Sequence, residues 1–162
     1  MFNLKAEFYL KIIFLFSLTA LISAYFIEYV LGYQPCNLCL IERIPYGLSI
    51  ILITTTFIFK KSKKFIVLLL ILTFIFSLSI SVYHYGIEQG FFQESAVCKV
   101  QNFTETITKE DLLKQLNKRI ISCKDVTFRI FGLSLTSINI MISLLFILSL
   151  SKVFTIYEKN QQ

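Results

Sequence analysis

Four long apolar runs dominate this chain, at Ile12–Leu31, Ile44–Phe59, Phe65–Tyr83 and Ile130–Ser151. Crossing the hydrocarbon of a bilayer takes about 20 residues of helix, because in lipid the backbone must satisfy its own hydrogen bonds. Three of the runs meet that length directly. The second has 16 residues and reaches a spanning length only if its helix takes in part of Leu40–Arg43. A mean hydropathy of +0.71, with 56% hydrophobic and 16% charged residues, sets the chain apart from soluble domains. The expected fold is therefore an all-α integral membrane protein, a four-transmembrane-helix bundle. It forms a single membrane domain over 1–162, with spans near 12–31, 41–59, 65–83 and 130–151 and outer loops 32–43 and 84–129. The first run exceeds the roughly 7 to 15 apolar residues of a secretory signal, so it counts as a helix.

Orientation follows from the lysines, since basic residues in short loops stay on the cytoplasmic side. Lys60, Lys61, Lys63 and Lys64 crowd one short turn, and Lys5, Lys11, Lys152 and Lys159 flank the termini on that same side. Both termini are expected in the cytoplasm. These eight lysines less Glu7 and Glu158 account for the whole net charge of +6. Such an excess is topogenic and faces lipid headgroups, and no nucleic-acid partner is implied. Nor is there a Gly-rich phosphate loop or an internal repeat. In the long outer loop, Thr108–Asp111 reads as a capping-box-like start for a short amphipathic helix. Leu112, Leu113, Leu116 and Ile120 share one face of it, suited to the membrane interface.

All four cysteines, Cys36, Cys39, Cys98 and Cys123, fall in the segments assigned outside, where disulfides form and persist. A structural disulfide would account for Cys98 and Cys123, whose intervening loop is worth about 3 kcal/mol in the chain-entropy model. It does not account for Cys36-Asn-Leu-Cys39. A C-x-x-C pair closes too small a ring to restrain an unfolded chain, and its uses are redox exchange or metal binding. Zinc normally wants a second close pair of ligands, which Cys98, Cys123 and the lone His84 do not offer by spacing. Redox exchange without a metal is the expected use.

Arg43 stands four residues after Cys39, where the second run enters the bilayer. If the helix starts near Leu40 or Ile41, its dipole and Arg43 both favour a thiolate at Cys39, whereas a start at Pro45 leaves Cys39 in a loop. An arginine there can simply snorkel to headgroups. Beside a dithiol it also makes a landing place for the polar ring of a lipid-soluble electron acceptor. Glu28 is placed either to pair with Arg43 or to face water, and His84 suits an interfacial hydrogen-bonding role.

The run Gln34-Pro-Cys-Asn-Leu-Cys-Leu-Ile-Glu-Arg43, followed by Ile44-Pro-Tyr, resembles the disulfide bond formation protein B (DsbB) family. The likeness extends to His84-Tyr-Gly-Ile-Glu88, the loop cysteines, Cys123-Lys-Asp-Val, Phe131-Gly-Leu-Ser134 and Asn139. It implies a bacterial inner-membrane oxidoreductase that reoxidises a DsbA-like soluble thiol oxidase and hands the electrons to ubiquinone or menaquinone. By that resemblance Cys98 forms the mixed disulfide with the partner and Cys123 completes the substrate-facing pair. Cys36 exchanges with them, Cys39 faces the quinone as a thiolate, and Arg43, with His84, helps to hold it. One departure is Phe128, where the family often shows Trp. Two alternatives share parts of the pattern. A vitamin K epoxide reductase-like enzyme would carry its C-x-x-C late in the chain, and a tetraspanin-like organiser would need a Cys-Cys-Gly motif.

Overall fold

The computed structural model describes residues 4–58, 63–94, 97–98, 122–124, 129–130 and 132–159. Four helices carry it: α1 (Leu4–Tyr29), α2 (Asn37–Ile58), α3 (Lys63–Glu88) and α4 (Leu135–Lys159). Each is long and apolar enough to cross a membrane. The proposed amphipathic helix at 108–120, Phe128 and the lysines of the turn at 60–61 lie outside the described residues.

The helices outrun the apolar runs because hydropathy marks what lipid touches, whereas hydrogen bonding marks the helix. α1 begins well before Ile12, and its polar first turns are anchored by an ion pair of Glu7 with Lys63 at 3.5 Å. α2 begins at Asn37, so Leu40–Arg43 and Cys39 are helical and the second span reaches full length. Pro45 lies inside it, costing the helix one backbone bond and defining no start. α3 continues past Tyr83 to Glu88 and closes with Gly90 at φ 78°. The Phe91 N–H bonds to the Gly86 carbonyl at 2.8 Å and the Gly90 N–H to that of Ile87 at 3.0 Å, the Schellman pattern that glycine permits. Gly86 itself lies under the Phe92 ring, which occupies the place a Cβ would need.

α4 starts later than Ile130, since the chain first makes a two-residue antiparallel pairing of β1 (Arg129–Ile130) with β2 (Leu133–Ser134). Ser134 then caps the helix, its Oγ accepting the Ser137 N–H at 3.2 Å.

Successive helices pack side by side and α4 returns to α1, closing a four-membered ring. One end of the interior is apolar, with Leu10, Ile13, Ile53, Val67, Leu70, Phe74, Phe146, Leu150 and Val153 buried together. Phe74 and Phe146 meet edge to face at 4.9 Å between centroids, a geometry favoured by the ring quadrupoles. Outward-facing Leu15, Ile22, Ile51, Leu72, Leu145 and Leu148 are exposed, as a face turned to hydrocarbon requires. Toward the other end the interior turns polar. Ser49 bonds Ser17 at 2.9 Å, Ser143 bonds Ser77 at 3.2 Å, and beyond them lies the cysteine cluster.

Candidate redox site at the dithiol end

Cys36 stands one residue before α2 and serves as its cap. Its carbonyl accepts the Leu40 N–H at 3.2 Å and its Sγ accepts the Cys39 N–H at 3.3 Å. The positive end of the helix dipole, expected at Cys39 from a later start, therefore falls on Cys36. Cys39, in the first turn, brings its Sγ to 2.8 Å from that of Cys36, and both are free cysteines. The hydrogen bond from Cys39 holds the Cys36 thiol far below its ordinary value, at about 5. Burial opposes this shift, while the His84 hydrogen bond and charge reinforce it.

His84 reaches the pair because α3 runs past Tyr83. It is 2% exposed, with Nε2 3.5 Å from Cys36 Sγ and Nδ1 3.0 Å from Glu42 Oε1. A carboxylate only accepts, so the Glu42 contact places the proton on Nδ1 and leaves Nε2 facing sulfur. The result is a Cys36, His84, Glu42 relay drawn from α2 and α3. Glu42 is held in turn by Asn139, whose Nδ2 donates to Glu42 Oε2 at 3.0 Å and to Ser81 Oγ at 2.8 Å. The Tyr46 hydroxyl donates to Asn139 Oδ1. Thr136 donates to Glu88 Oε1 at 2.6 Å and lies 3.3 Å from His84 Nδ1. Buried polar groups are costly unless paired, and this network pairs nearly all of its members.

The loop cysteines join this end as well. Cys98 and Cys123 form a disulfide, buried together with Cys36, Leu38 and Ile87. Asn37, next to Cys36, donates to the carbonyl of Val97, next to Cys98, at 2.7 Å. Glu94 fastens the other strand of the loop by accepting from Ser122 and from the Lys124 N–H at 3.1 Å. The two cysteine pairs thus share one apolar pocket.

On the other side of α2, a cavity of about 390 Å³ opens between α1, α2 and α4. Its walls are mostly apolar, with Phe16, Ala20, Ile27, Ile138 and Ile142 among them, and its polar edge carries Cys39, Glu42, Arg43 and Asn139. Cys36 is not part of that wall. Arg43 pairs with Glu28, so the alternative of a water-facing Glu28 falls away, and its guanidinium lies 5.1 Å from the centre of the Tyr25 ring. Of the residues singled out from the sequence, Cys39 and Arg43 line the cavity, Cys36 joins the loop disulfide, and His84 stands behind Cys36. Thr136 and Ser81 carry no signal in the sequence, and Glu42 and Asn139 appear there only within the family resemblance.

Comparison with known proteins fits this picture. The family model described as "Disulfide bond formation protein DsbB" matches residues 6–152. A Rickettsia prowazekii (strain Madrid E) chain named "Uncharacterized protein RP370" is 29% identical over 147 residues, 90% of this chain and 86% of the relative. No solved structure matches.

Proposed function

The chain belongs to the disulfide bond formation protein DsbB family and is a multi-pass membrane disulfide oxidoreductase, and we propose that it takes electrons from a soluble DsbA-like dithiol and delivers them to a membrane quinone. One observation carries the reading. Cys36 and Cys39 sit 2.8 Å apart, Cys36 is buried in the cluster of the Cys98–Cys123 disulfide with Cys39 packed against it, and of the two Cys39 alone also lines the cavity. The pair is a junction between the loop disulfide and the cavity.

In the proposed cycle a reduced partner exchanges with the Cys98–Cys123 bond, leaving both loop sulfurs as thiols. A loop thiolate then attacks Cys36, the inner sulfur buried with the loop disulfide, and Cys39 is the sulfur displaced, toward the cavity. The second loop thiol displaces Cys36, restoring the Cys98–Cys123 bond and leaving the inner pair reduced. Re-forming the Cys36–Cys39 bond releases two electrons and two protons. His84 is placed to accept the proton of Cys36 at Nε2, with Glu42 stabilising the imidazolium.

A quinone fits the cavity by the chemistry of its walls, which offer apolar length and a polar edge within the roughly 300 to 1,000 Å³ of small-molecule sites. Bound there, it would supply a two-electron, two-proton acceptor. Arg43 would orient its carbonyl oxygen, and Phe16, Ile138 and Ile142 would exclude water from the tail. The same reading sets the dithiol end on the outer face of a bacterial inner membrane and the lysine end in the cytoplasm.

Thiol trapping tests the proposal. Purified protein, reduced and then incubated with or without quinone, should regain the Cys36–Cys39 bond only when quinone is present. A pair that stays reduced in quinone would leave the acceptor out of the account. Membrane-impermeant thiol reagents should reach the reduced cysteines from outside intact spheroplasts, and labelling only after permeabilisation would reverse the orientation.

A further inference from the structure

Electron transfer uses the two sulfurs and one imidazole nitrogen in turn, yet the structure holds all three at once. Cys36 Sγ, Cys39 Sγ and a ring nitrogen of His84 lie within 4.8 Å of one another. By sequence spacing alone the lone His84 could not complete a metal site, but the fold brings it from 48 residues away to 3.5 Å from Cys36. We propose that the reduced protein binds a single zinc ion through Cys36, Cys39 and His84, and that this form is closed to thiol exchange. The inference rests on the reading above only in that the pair must exist as a dithiol.

The geometry is near what zinc requires. With Zn–S near 2.3 Å and Zn–N near 2.0 Å, atoms bound tetrahedrally stand about 3.5 to 3.8 Å apart. The Cys36 to His84 separation of 3.5 Å is already there. The sulfurs at 2.8 Å must open by roughly 1 Å, within reach of a small rotation of the Cys39 side chain. His84 is also oriented as a zinc ligand. Its Nδ1–H is engaged by Glu42 at 3.0 Å, which leaves Nε2 as the free donor, the carboxylate, histidine, zinc arrangement that recurs in such sites.

Charge and the fourth position agree. Two thiolates cancel the charge of Zn²⁺, so the buried site gains no net charge, and binding releases the thiol protons to solvent. Glu88, one helical turn beyond His84, has its Oε1 3.8 Å from His84 Nε2. Its Oε2 is buried with no hydrogen-bond partner among the described residues. That oxygen is suited to accept from a water in the fourth position. Oxidation of the pair removes both thiolates, so metal and disulfide exclude each other. Zinc then holds the enzyme in its reduced form until the ion is withdrawn.

The test uses full-length protein in detergent, freed of metal by chelator, with Cys98→Ser and Cys123→Ser so that the inner pair supplies the only thiols. Cobalt(II) is the optical probe. The reduced protein should take up one cobalt per chain, with tetrahedral d–d bands and a thiolate-to-cobalt charge-transfer band that zinc abolishes by displacement. Zinc should also slow alkylation of Cys36 at least tenfold. His84→Ala should weaken cobalt binding by at least tenfold, and Glu42→Gln, which leaves the three ligands in place, by about 10- to 100-fold. Octahedral cobalt, uptake by the oxidised pair, or affinities unchanged in both variants would overturn the site, the last by reducing it to ordinary dithiol chelation. No quinone or partner enters the assay. A protein that fails to reduce quinone can still pass it, and one that reduces quinone can still fail it.

Discussion

The two ends of the bundle are built on opposite principles. At the lysine end the interior is apolar and the elements meet through packing, Phe74 against Phe146 and Leu70 among aliphatic neighbours. At the dithiol end the helices meet through hydrogen bonds among Glu42, His84, Asn139, Ser81, Tyr46 and Thr136. Packing tolerates small displacements of its atoms, whereas a proton or a sulfur must be placed to a fraction of an ångström. The apolar end therefore serves as a foundation and the polar end as the working surface, and damage to each should show in a different measurement.

The largest effect is expected from Phe74→Ala, which empties the centre of the apolar end. It should cost about 3 kcal/mol, the low end for such truncations because lipid supplies no hydrophobic drive between helices. The alkylation rate of Cys36 in the folded fraction should stay at the wild-type value. A changed rate would show that the ends are not separate. Unfolding in mixed micelles, followed by circular dichroism, measures the first quantity and iodoacetamide labelling the second.

Glu42→Gln should do the reverse. The amide keeps the shape, but its NH₂ can donate to His84 Nδ1, which turns the ring proton to Nε2 and leaves Cys36 without an acceptor. Cys36 alkylation should have its pH midpoint raised by about one unit from about 5, a fall of roughly fivefold in rate at pH 5, equivalent to about 1.4 kcal/mol of lost thiolate stabilisation. A fall in stability as large as that of Phe74→Ala, with no loss of reactivity, would make the network structural.

Much of this contrast was legible in the sequence, but unevenly. The four spans, the C-x-x-C pair and Arg43 could be read because each is a local pattern. The relay could not be, since Glu42, His84 and Asn139 come from three helices and acquire meaning only when those helices pack. Helix ends were misplaced for a related reason. Polar residues such as His84 and Glu88 look like loop until the fold gives them internal partners, and cysteine is not a usual cap, so nothing at Cys36 marks a start ahead of Leu40, Ile41 or Pro45. With the start at Asn37, Cys36 caps the helix and receives the dipole that a later start would have given to Cys39.

A smaller effect belongs to pH. The Cys36 thiol is held at about 5 against an ordinary value of 9.0, so between those values the folded chain binds fewer protons than the unfolded one. Its contribution to stability is therefore complete above about 9 and is lost as pH falls toward 5. In chelator-treated reduced protein, the alkylation rate of Cys36 should be nearly level from pH 9 to 6 and halved near 5. A midpoint near 9 would mean that the Cys39 hydrogen bond and His84 do not act on this sulfur.

Steady-state quinone reduction by wild type and Arg43→Ala, with a reduced dithiol protein as donor and quinone varied, is the most direct test. Arg43 lines the cavity beside Cys39, so its loss should raise the Michaelis constant for quinone about tenfold or more, with a smaller change in kcat and the fold intact. Arg43→Lys should fall between, keeping charge without the planar fork. Wild-type kinetics in Arg43→Ala would return this arginine to its ion pair with Glu28 alone, and absence of quinone reduction by the wild type would contradict the central claim.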